Sequence, residues 1–251
     1  MPTTSNTLTA DQEAEIDRIV NAIAVQSSRM GFYSARVERL VSLHNQLAEA
    51  DSAKDVSDIL RSAVVLLHAS LEDYLRTVAA AYLPYTQPDV LNDIPLAGGG
   101  RDRPEKFLLG ALTAFRGKTI DQVIEQSVTQ HLENATYNNS REVVRFVTNL
   151  GIDGEIVRPF LSAIDALMQR RHLIVHRADL LHNAVEDLAV NPITADEVSE
   201  WRKTAVEFSR VLTTTLTRRE IRALTSRTRE HAREEARKAR EKDQEILPPA
   251  T

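Results

Sequence analysis

The stretch RRHLIVHRAD, Arg170–Asp179, decides how this chain is read. Leu173, Ile174 and Val175 stand between His172 and His176, with arginines on both sides. With Val157 placed at zero and roughly 100° turned per residue, Phe160, Leu161, Ile164, Met168 and Val175 fall on one stripe. That spacing predicts a core-packed helix from about Glu155 to His176. Arg171 falls in the middle of the stripe and His172 just to one side. His176 lies further round the same edge, near Asp165 and Gln169, while Arg170 and Arg177 point the other way. Arginine is almost never fully buried unless paired, and an unpaired buried charge is costly. Either Arg171 meets a carboxylate, with Glu72 and Asp165 as candidates, or the stripe opens there into a groove that takes an anion. Arg171 and His176 are about 140° apart on a regular helix. If both act on one substrate, the helix is distorted or a second chain completes the site.

The sequence on either side is helical as well. A helix is expected from Thr9, where T-x-x-Q resembles a capping box, to about Ala50, with a break at Met30-Gly31. A second begins near Asp55, with Leu60, Val64, Leu67, Leu71, Tyr74 and Val78 spaced by three and four, and Leu83-Pro84 ends it. The segment 84–104 is rich in Pro and Gly and reads as a long loop. Helix resumes around Pro104, again from Thr119 to about Asn134, and after Ser140 until Gly151. The last helix starts at the capping box Thr194–Glu197 and carries the stripe Val198, Trp201, Ala205, Phe208, Leu212, Leu216. Beyond Leu216 only Ile221 and Leu224 are left, off that face. The expected fold is all-α, a helical bundle with a long charged C-terminal helical extension. Its expected division is an N-terminal helical segment 1–34, a domain 35–217, and a charged tail 218–251 ending in a disordered C-terminus.

Composition narrows the function. The 251 residues include no cysteine, which excludes disulfides, thiolate zinc sites and a cysteine nucleophile. Eight Gly and nine Pro are few for this length and favour long helices. No basic flank leads into an apolar run at the N-terminus, and no stretch of about twenty apolar residues occurs, so a cytoplasmic protein with no membrane span is expected. The Gly98–Gly100 run lacks a following Lys-Ser/Thr, and no G-x-S-x-G elbow appears, so NTPase and serine hydrolase chemistry are poor fits. Net charge is −5, but residues 218–242 hold ten Arg/Lys against five Glu, a local +5 that leaves −10 elsewhere. Interleaved Glu and Arg in that tail suit a solvated or coiled helix with i, i+4 pairs, with RNA contact secondary.

The segment R-H-L-I-V-H, Arg171–His176, resembles the Rx4-6H signature of the HEPN superfamily of helical ribonucleases and nucleotide-binding domains. LLHASLEDYLR (Leu66–Arg76), VVRFVTNLGID (Val143–Asp153) and N-P-I-T (Asn191–Thr194) are similar to its RiboL-PSP-HEPN branch. The likeness covers roughly 35–215. It implies a homodimeric, metal-independent endoribonuclease in which a ribose 2′-OH attacks the adjacent phosphate, leaving a 2′,3′-cyclic phosphate and a 5′-OH. On that reading His176 is the general base or acid, Arg171 holds the scissile phosphate, and His172 orients the substrate or its fellow histidine. Asp165 and Glu72 would support them. No cofactor or metal is implied. The partners would be RNA, a second copy and an inhibitory protein, in a toxin or defence setting.

Other readings stay open. The domain could be a non-catalytic binding or dimerisation module with Arg171 in a structural ion pair. His172 and His176 form an i, i+4 pair of metal-ligand type, with Asp165 or Asp179 as a third ligand, but H-E-x-x-H needs Glu where Leu173 stands. They could also be helix-end cations. Glu72, beside His68, reads better as a solvated edge residue than as the partner of Arg171.

Overall fold

The helix Ser57–Tyr82 (α2) is the element on which most others pack in this computed structural model, which describes residues 10–51, 55–97, 109–181 and 189–245. Its six stripe residues are all buried, and so are Ala63, Leu75 and Ala79 on adjoining faces. A helix buried on several sides must be surrounded. Ala10–Ala50 (α1), Ile120–Glu133 (α4), Leu161–Arg177 (α6) and Ala195–Glu245 (α7) all contact α2. Between α2 and α4 lies the short helix Pro88–Leu91 (α3), and Ser140–Asn149 (α5) precedes α6. Each fully buried Leu or Phe at these contacts contributes about 1.5–3 kcal/mol.

Local chemistry sets the helix ends. At α4, Thr119 and Gln122 cap each other reciprocally. Asn139 caps α5, and Gly151, at φ +73°, lets the chain leave it. The Thr194 hydroxyl accepts from the Glu197 amide at 3.2 Å, and Glu197 accepts from the Thr194 amide at 2.8 Å. The α7 stripe is buried at Val198, Ala205, Phe208, Leu212 and Leu216, with Trp201 packed against its rim. The Tyr74 hydroxyl lies 2.8 Å from both the Ser209 carbonyl and the Thr213 hydroxyl, fixing α2 to α7.

Helices α1 and α7 run antiparallel. Arg18 approaches Glu220 at 4.0 Å at one end, and Arg202 donates to Ser34 at 2.9 Å near the other. Past Leu216 the stripe ends and Ile221 is 56% exposed. The helix continues to Glu245 with pairs such as Arg237–Glu234.

Three expectations change. α1 is unbroken at Met30-Gly31; one glycine costs a helix about 1 kcal/mol, and buried Met30, Val37 and Val41 outweigh it. α6 begins at Leu161 because two 3₁₀ turns, Gly154–Ile156 and Arg158–Phe160, occupy the stretch around Pro159. The loop from Pro84 holds a 3₁₀ turn, Leu83–Tyr85, and α3. The Thr9 cap, the Gly98–Gly100 run, the start at Pro104 and the C-terminal residues 246–251 lie outside the described residues. Position 34 falls inside α1, and the 217/218 boundary falls inside α7. Among the described residues there is no strand, only the isolated bridge Leu180–Val190, and no helix is long and apolar enough to cross a membrane.

Candidate functional site

The site lies on the last two turns of α6, where the helix leaves the core. Ile164, Leu167 and Met168 are buried, and Ile174 is packed against the core from its edge. Val175, expected in the stripe, is 47% exposed. The reason lies in what covers each side. The returning segment 189–193 covers the side of Arg170, and Arg170 donates to the carbonyls of Asn191 and Pro192, each at 2.9 Å. No comparable element covers the side of Val175 among the described residues, so His172, Val175 and His176 face outward.

Arg171 is half-buried. Among the described residues no carboxylate lies within ion-pair distance of it, and no acceptor within hydrogen-bond distance. His172 and His176 are exposed, their ring centroids 4.7 Å apart and the planes tilted by 47°. The end of α6 therefore carries two exposed imidazoles and, about 140° round the helix from His176, a half-buried guanidinium with no counter-ion among the described residues. Such groups can hold an anion and move protons. No group of three metal-ligating side chains gathers among the described residues.

Asp165 and Glu72, the expected supporting residues, each accept from a backbone amide. Asp165 Oδ1 accepts from the Ser140 amide at 2.7 Å and so anchors the start of α5 to α6. Glu72 is neither a solvated edge nor the partner of Arg171. Its side chain is 13% exposed, accepts from the Tyr137 amide at 3.3 Å, and lies 3.6 Å from Arg76 and 3.9 Å from His68.

His68, which the sequence places with Glu72 on the flank of α2, lies inside the core. It is 2% exposed, and its Nε2 has no partner. Burial holds the imidazole below its ordinary value of 6.5; Glu72 opposes the shift and the nearby Arg171 cation adds to it. Burial thus keeps His68 neutral, with the Arg171 charge acting in the same direction. The available signal was a histidine one position from the Leu67/Leu71 row of an apolar helix.

Arg170, expected to point away from the core, points into the protein on the other side of α6. It meets Asp179 at 2.9 Å, and Arg61 of α2 meets the same carboxylate at 2.8 Å. Asp179 is fully buried. It had been considered only as a third metal ligand, and it is a double ion-pair acceptor instead.

An all-helical bundle is the fold class of HEPN domains. The chain belongs to the RiboL-PSP-HEPN family, whose model matches residues 32–218. No curated protein and no solved structure matches it at a significant level.

Proposed function

We propose that this protein is a metal-independent endoribonuclease of HEPN type, with Arg171, His172 and His176 as its site. The observation that carries the reading is Arg171, a half-buried cation with no counter-ion among the described residues, on the same helix end as two exposed imidazoles in a chain of this family. Arg171 holds the scissile phosphodiester and stabilises the charge that grows on its non-bridging oxygens. His176 takes the proton from the ribose 2′-OH or gives one to the departing 5′-oxygen, and an imidazole suits either task close to neutral pH. The 2′-oxygen bonds to phosphorus as the P–O5′ bond breaks, leaving a 2′,3′-cyclic phosphate and a 5′-OH. His172, in ring contact with His176, orients the substrate or that ring.

Arg171 and His176 diverge by about 140° round the helix. A homodimer in which two α6 helices meet across a two-fold supplies the Arg of one copy and the His of the other. The half-open face of a single copy fits this arrangement. The proposed setting is a cytoplasmic toxin or defence system with an inhibitory partner protein.

A second reading, a silent binding or dimerisation module, has one observation in its favour. Three cavities among the described residues have linings that do not include Arg171, His172 or His176. The test is cleavage of RNA in EDTA by wild type, His176→Ala and Arg171→Ala, with analysis of the ends. Cleavage by wild type alone, leaving cyclic phosphates, supports the nuclease. A folded dimer that binds but never cuts RNA supports the module, and cleavage by His176→Ala removes His176 from the site.

A further inference from the structure

Helix α6 ends in an expensive way. Ala178 and Asp179, directly after the motif, both take left-handed backbone angles, φ 48° and 59°. Neither is glycine, and such residues persist only where their surroundings over-determine them. Here the Asp179 amide donates to the Leu173 carbonyl at 3.0 Å, closing the last turn of the helix. The carboxylate takes Arg61 Nε at 2.8 Å, Arg170 at 2.9 Å and the Asn191 side-chain amide at 3.3 Å. Asn191 also donates to the Asp179 carbonyl from both its backbone and its side-chain amide, each at 2.8 Å.

The whole assembly sits at the foot of the turn that carries His176. Two guanidinium groups share one buried carboxylate, so it is a poor device for stability, since well-packed apolar residues commonly do as well or better. What it does supply is a fixed end. Held from α2 by Arg61, from α6 by Arg170 and from the returning segment by Asn191, Asp179 fixes where the helix stops. It thereby limits how far the exposed turn bearing His172 and His176 can rotate or fray. Helix termini fray unless tied down, and a displacement of about 1 Å at a reacting group can cost a hundredfold in rate.

We propose that Asp179, clamped by Arg61 and Arg170, is the positioning residue for His176; as a statement about catalysis this rests on the nuclease reading above. Asp179 touches no substrate in this role and acts through the last turn of α6.

The test uses the full-length chain with ¹³C-labelled histidine and follows the imidazole cross-peaks of wild type, Asp179→Asn and Arg170→Met, with His176→Ala and His172→Ala giving the assignments. Spectra are taken where circular dichroism shows each variant folded. Arg170→Met is the safeguard if Asp179→Asn fails to fold, because it leaves Arg61 and Asp179 as a balanced pair. The expected result is that the His176 cross-peak moves and broadens, His172 moves with it through the ring contact, and His44 and His131 stay in place. In RNA cleavage kcat falls by between about tenfold and a hundredfold with KM unchanged. Variants that melt earlier but superimpose on wild type at His172 and His176 would overturn the proposal, leaving Asp179 a structural cap. If wild type cuts no RNA, the nuclease reading fails by itself, and the ring spectra still decide whether Asp179 positions His176.

Discussion

Arg170 and Arg171 are neighbours in sequence and opposites in surroundings. Arg170 ends against a fully buried carboxylate and two backbone carbonyls. Arg171, about 100° further round the helix, has a neutral, buried histidine beside it and no carboxylate within reach among the described residues. The first shares a buried counter-charge, and the second has none among the described residues. The difference teaches that an arginine's place on a helical wheel says less about its role than what the rest of the chain brings opposite it.

Four experiments break or sharpen that contrast. The largest effect is expected from the open side. Arg171→Ala or His176→Ala should lower RNA cleavage by about 10²–10⁴-fold, with the circular dichroism spectrum unchanged. Activity retained in Arg171→Ala would remove the phosphate-holding role.

The closed side should show itself in stability. Asp179→Ala takes the buried carboxylate from Arg170 and Arg61, leaving Arg61 only the exposed Asp58 at 3.3 Å, and is expected to cost about 3–5 kcal/mol in urea unfolding. Arg170→Met should cost about 1–2 kcal/mol, since Arg61 stays with Asp179. Arg171→Met should cost under about 1 kcal/mol. Equal losses for Arg170→Met and Arg171→Met would erase the distinction.

His68 adds a pH dependence. Its folded pKa is depressed, so unfolding favours proton uptake. The stability it contributes is complete above the ordinary value of 6.5 and is lost as pH falls from there through the folded value. Melting temperature should therefore decline below about pH 6.5, and His68→Gln should flatten that decline. A profile identical in the variant would show that His68 titrates as it does in the unfolded chain.

The smallest effect is expected far from both arginines. Removing residues 229–251 should move the melting temperature by no more than about 2 °C, because surface changes lie within about 0.5 kcal/mol. It should also leave the salt slope of RNA binding unchanged, because the arginines of that extension are interleaved with Glu, as in Arg237–Glu234. A flatter slope would make the extension an RNA contact.

Much of this molecule was legible from the chain because helices are written locally. The rows Leu60–Val78 and Val198–Leu216, the Thr194 cap, the stop at Gly151 and the Arg171–His176 motif all depend on residues a few positions apart, where period and capping chemistry operate. The α6 stripe misled at its end because periodicity fixes a direction and cannot say where the core stops; Val175 points with Ile164 and is exposed all the same. What only tertiary structure decided are the pairings across long separations. Arg61 meets Asp179 across 118 positions, Glu72 receives the Tyr137 amide across 65, and His68 lies near Arg171 from another helix. Burial and charge compensation are properties of the surroundings of a residue. Sequence therefore determined the helices and named the motif, and packing decided which of two adjacent arginines is locked to a carboxylate and which has none among the described residues.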